Sequence, residues 1–206
     1  MQKVARFIGF GALAAIGTAF LFNVINLLTV LGTIFNGFSV NAGLAIVVLL
    51  DWLVCAAGAA LIIVLVVIEI LKMIPIFAGK DVENRSLFQM NGVCVVYGAT
   101  LFISAILGII ILAIQNGREF GGIITSMIFA SIVYGAALVS FIGKNLPALV
   151  RVILNLAAQF FALVIVFMGI DAGGLTTVFY VFLMLGLFAG SAYVVLANLD
   201  AFKAKK

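Results

Sequence analysis

Six apolar runs, each long enough to cross a bilayer, leave this chain few choices of fold. They lie at about 7–32, 43–71, 88–114, 121–142, 147–170 and 175–198 in a sequence of 206 residues. A hydrocarbon layer about 30 Å thick needs roughly 20 apolar residues in helical form to span it. Lipid cannot satisfy a peptide N–H or C=O, so each run must do so internally, as a helix. With 67% hydrophobic residues and a mean hydropathy of +1.42, most of the surface must face lipid or other helices. The expectation is an all-α, polytopic integral membrane bundle, a single transmembrane domain over residues 1–206. No segment between the spans is long enough to build a soluble domain.

The basic residues orient the bundle. Lys3, Arg6, Lys72, Lys80, Arg85, Lys144, Arg151, Lys203, Lys205 and Lys206 fall on one side of the six crossings, and only Arg118 falls on the other. By the positive-inside rule both termini are expected in the cytoplasm, with a bacterial or archaeal cytoplasmic membrane as the expected location. The net charge of +4 follows from that asymmetry and faces anionic headgroups. No dense basic run with interleaved aromatics occurs, so nucleic acid is not an expected partner. The first apolar run is too long for a signal-peptide core and reads as a retained span.

What the chain lacks narrows its chemistry. It has no histidine, the commonest ligand for haem, zinc and copper and the usual general base. Its two cysteines, Cys55 and Cys94, both lie within spans, which argues against a structural disulfide or a Cys-rich metal site. No phosphate-binding loop, zinc-protease motif or nucleophile elbow is present. The reading is a protein that is not an enzyme and carries no cofactor or metal.

The three connections on the side away from the basic residues look alike. Asn36–Leu44, Asn116–Ile123 and Gly169–Leu175 each offer a glycine to end one helix in the left-handed conformation and small residues to open the next. This predicts three helical hairpins. On the basic side, Ser86-Leu87-Phe88-Gln89 has the pattern of a capping box, and Asn145 is placed to cap a fifth helix with Pro147 in its first turn. Pro75 is expected to end the second helix or turn it along the membrane surface.

Charge inside a span is costly, so intramembrane polar residues are the first functional candidates. Asp51 has no partner in its own helix. It shares a face with Cys55, Gly58, Ile62, Leu65 and, eighteen residues on, Glu69, a stripe expected to face the bundle interior. Glu69 has Lys72 three residues on and reads as a local ion pair. Asn23 and Asn26 in the first helix are the nearest groups in depth to Asp51, and the three together are the expected solute- or ion-binding site. Arg151, Asn155 and Gln159 follow one another at i+4 steps up the fifth helix, which can line a cytoplasmic vestibule or simply bond neighbouring helices. Trp52 and Tyr193 are expected as interfacial anchors.

Small residues mark helix crossings: Ala15 and Ala19, Gly58 within Ala56–Ala60, Ser131 and Gly135, Gly186 and Gly190. The Ala15-x-x-x-Ala19 spacing resembles the docking motif on the first helix of the substrate-binding membrane subunits of energy-coupling-factor vitamin importers. The resemblance covers five residues, and no substrate-pocket motif of those subunits accompanies it.

Two functions follow as expectations. One is transport or permeation of a small solute or ion by the six-helix bundle, alone or as the membrane subunit of a transporter. The other is a non-catalytic structural or assembly subunit of a larger membrane complex. The expected partners are the lipid bilayer and either other membrane subunits or further copies of the chain.

Overall fold

The computed structural model describes residues 2–77, 90–118, 120–143 and 145–199. These form six long helices: α1 Gln2–Gly37, α2 Ala42–Phe77, α3 Met90–Ile114, α4 Gly121–Ile142, α5 Ala148–Gly169 and α6 Gly174–Ala197, with a 3-10 turn at Ile170–Ala172 before α6. All six are long and apolar enough to cross a membrane, and no strand occurs among the described residues. The protein is an integral membrane helical bundle.

Each helix packs on the next in chain order, and α6 returns to α1 to close a ring. The α1–α6 pairing is the most extensive contact, so the three sequence hairpins are joined as tightly to one another as within themselves. At that seam a Cβ on Gly186 would lie 2.5 Å from Ile16 Cγ1 and 3.2 Å from the Ala12 carbonyl, an approach only glycine permits. Phe20 of α1 meets Phe179 of α6 edge-on at 5.4 Å. Between α3 and α4, a Cβ on Gly98 would lie 2.7 Å from the Tyr134 backbone nitrogen. Leu13, Ile16, Ile62, Met90, Leu183 and Leu187 fill the interior.

The helices differ in length in a way that matters for the site. α1 and α2 each run 36 residues, about 54 Å, whereas α4 and α5 each run 22, about 33 Å. Asn26, in the last third of α1, donates to Thr176 in the first turn of α6 at 3.2 Å. The α1–α2 hairpin beyond that level therefore extends past the start of α6, with Leu28, Phe35, Val40 and Ile46 exposed on it.

Several local expectations need correcting. α2 continues through Pro75 to Phe77; a proline in a last turn interrupts little of the ladder. The left-handed position after α3 is taken by Asn116 (φ 54°) rather than a glycine, and the first outer turn has no positive φ at all. Only before α6 do glycines take that role, at Gly173 and Gly174 (φ 84° and 56°). Asn145 caps nothing: Pro147 itself is the N-cap of α5, with no side-chain cap bond. The capping box at Ser86–Gln89 and the polar Lys80–Arg85 run lie outside the described residues.

Candidate functional site

The polar groups inside the bundle form two sets, one toward each end. Along α2, Asp51 is followed one turn later by Cys55, on the face turned to α3. Ser104 of α3 is the polar neighbour of Asp51, and the Cys55 thiol donates to the same Ser104 Oγ at 3.9 Å. Asp51 Oδ1 is buried and receives no hydrogen bond. Along the expected stripe, Gly58 and Ile62 are buried, while Cys55, Leu65 and Glu69 are half-buried. Glu69 accepts from Lys72 at 2.7 Å, the local pair the spacing predicts.

The asparagines of α1 stand at the right depth but serve another helix. Trp52 Nε1 donates to the Leu27 carbonyl at 2.8 Å and so levels the two helices. Asn26, however, spends its amide on Thr176, and Asn23 is half-buried with no side-chain hydrogen bond among the described residues. Neither supplies a donor to Asp51. Trp52 is thus a tie between α1 and α2. Tyr193 is no interfacial anchor, being buried with its ring over Gly9.

Sequence reasoning missed the contribution of α3. Asn91, Cys94, Tyr97 and Ser104 recur at helical spacing and line its inward face. The Tyr97 ring stands edge-on to Phe20 at 6.2 Å, and its hydroxyl is buried without a partner. Tyr97, Tyr180 of α6 and Cys55 lie within electrostatic reach of one another. The i+3/i+4 recurrence was the available signal. It was easy to pass over because single hydroxyls and thiols are cheap in a span and often bond their own backbone, as Thr100 does to the Val96 carbonyl at 2.8 Å.

At the other end, α5 presents Arg151, Asn155 and Gln159 on one interior face. Gln159 is wholly buried; its Nε2 donates to Asn155 Oδ1 at 2.7 Å, and Ser191 of α6 donates to its Oε1 at 3.0 Å. Asn91 Nδ2 donates to Ser140 of α4 at 3.0 Å, and Ser140 donates to the Arg151 carbonyl at 2.9 Å. Arg151 Nε and Asn91 Oδ1 are buried without partners. The row therefore bonds α3, α4, α5 and α6 together at this end.

Of the small-residue positions, Gly58 accommodates the Thr100 side chain, Gly186 faces Ile16, and Gly190 faces Met90 and Gln159. Gly135 is different: among the described residues no atom lies within 4 Å of a Cβ placed there, and Ser131 is exposed, so this pair packs against no described helix. Ala19 is fully buried and Ala15 half-buried, so the alanine spacing of α1 is largely consumed within the bundle.

Chemically, the Asp51 group offers a carboxylate oxygen with no donor, flanked by a hydroxyl and a thiol. Among the described residues no three His, Cys, Asp or Glu side chains come together. Compared with models of known families, with curated proteins and with solved structures, the chain matches none.

Proposed function

We propose that this protein carries a small solute or ion across the cytoplasmic membrane of a bacterium or archaeon, with Asp51 as the binding group. The observation that supports this is Asp51 Oδ1, buried in a span with no hydrogen bond or ion pair among the described residues. An oxygen in that position costs free energy unless a donor or cation is supplied, and a bound solute supplies one. Ser104 and Cys55 flank the carboxylate, and Tyr97 adds a buried hydroxyl two turns away along α3. Ile62, Cys94, Val133 and Leu183 lie between the two polar sets along their own helices and are all buried. Passage therefore requires the helices to part at this layer.

The test is gentle purification of the full chain, identification of what copurifies, and flux of that solute in proteoliposomes. A bound small molecule that crosses with the protein and not without it supports the reading; empty vesicles and protein vesicles of equal permeability sink it.

A second reading, a non-catalytic subunit of a larger membrane assembly, is favoured by the Ser131–Gly135 face of α4. It is a small-residue surface that no described helix covers. Copurifying membrane proteins in fixed ratio distinguish it from transport.

A further inference from the structure

Two donor groups at the basic end of the ring, Asn155 Nδ2 and Arg151 Nε, have no acceptor among the described residues. The hydrogen-bond chain in α5 and α6 runs from Ser191 to Gln159 and from Gln159 Nε2 to Asn155 Oδ1. It ends on Asn155, a residue only 8% exposed whose Nδ2 makes no hydrogen bond among the described residues. Arg151 stands one turn earlier on the same face of α5. It adds a buried Nε–H that has no partner among the described residues, and no described acid pairs with its guanidinium. The N-terminus of α5 lies at the same end, with no side-chain cap over its first amides.

An unbonded amide donor and a guanidinium with a buried, unbonded N–H stand one turn apart there, and no described acid offsets the charge, so the partner they call for is an acceptor that carries negative charge. One further group narrows its chemistry. Asn91 Oδ1 is a buried acceptor without a donor, joined to the same network through Ser140 and the Arg151 carbonyl. The ligand therefore needs a hydroxyl beside its anionic oxygens. We propose that the basic end of the bundle, between α3 and α5, holds a phosphate-type oxyanion, with Arg151 and Asn155 as its donors and Asn91 receiving its hydroxyl. Hydrogen phosphate and the glycerol phosphate headgroup of an anionic lipid share that chemistry. The guanidinium fork suits a tetrahedral oxyanion through paired N–H bonds, which a lysine would not provide. The site stands on the α3–α5 geometry and is independent of the Asp51 reading.

Thermal unfolding of the full chain in neutral detergent tests it, with sodium phosphate against sodium chloride of equal ionic strength in one arm. The other arm compares dioctanoyl phosphatidylglycerol with dioctanoylglycerol, which lacks the phosphate. At about a hundredfold excess over Kd, the true ligand should raise Tm by about 5 °C or more. A response to phosphate alone identifies a free anion, and a response only to the phospholipid identifies a headgroup. Arg151→Gln should weaken the response at least about tenfold; it keeps the backbone carbonyl that Ser140 uses. Asn155→Asp keeps the acceptor for Gln159 and replaces the free N–H with an anionic oxygen, so it should abolish the response; it decides the matter if Arg151→Gln does not fold. Arg6→Gln, on α1, should respond as the unsubstituted protein does. No shift in either arm, or an unchanged shift in Arg151→Gln or Asn155→Asp, overturns the site.

Discussion

Trp52 and Leu27 fix the level at which the two longest helices meet: the indole N–H donates to the Leu27 carbonyl at 2.8 Å. The residues that precede them, Asp51 and Asn26, consequently stand at one depth on adjacent helices. They do not bond. Asn26 turns to Thr176 of α6, and Asp51 turns to Ser104 of α3. The carboxylate is thereby left short of donors, and the functional proposal rests on that shortage.

Orientation is the first prediction. Single cysteines at Ser39, Asn116 and Asp171, all exposed, should label from outside intact cells. A cysteine at Asn145, exposed at the other end, should label only after permeabilisation. The reverse pattern would invert the bundle in the membrane.

Glycine at the α1–α6 seam should be irreplaceable, and glycine on the open face of α4 should not. Gly186→Ala places a methyl against Ile16 and the Ala12 carbonyl. Overpacking of this kind costs about 1–3 kcal/mol. Gly135→Ala meets no described atom within 4 Å and should match or slightly exceed the parent in stability. Unfolding of both variants in the same detergent checks the contrast; equal behaviour would mean that the seam is looser than described.

The buried amide of Gln159 should be structural. Replacing it with leucine strands the Ser191 hydroxyl and Asn155 Oδ1, which now bond to it. The expected loss is about 1–3 kcal/mol, read as a lowered unfolding midpoint. A leucine variant as stable as the parent would show that the two groups find other partners.

Both native thiols should be free. Cys55 and Cys94 are unpaired, and alkylation of denatured, unreduced protein should modify each. A linked Cys55–Cys94 peptide in the mass spectrum would contradict this.

The fold was legible because lipid removes alternatives: six apolar runs with glycine-rich breaks can form little else, and the observed helices differ from the expected spans by a few residues. The site was legible only in part. Asp51 and the α5 row stand out because charge and amides are costly in a span. What sequence could not show is which helix each face meets. Ring closure sets α6 against α1 and draws Asn26 away to Thr176. Ser104 could be paired with Asp51 only once the α2–α3 register was known. Tyr193 reads as an anchor because aromatics favour headgroup depth; burial over Gly9 claims it instead.

Solute flux by Asp51→Asn protein, measured in proteoliposomes beside its unfolding midpoint, tests the central claim most directly. One carboxylate oxygen already lacks a partner, so the substitution should change stability by no more than about 1 kcal/mol. The predicted result is a folded protein that no longer moves the solute that copurifies with the unsubstituted chain. A folded Asp51→Asn protein with full flux would contradict it.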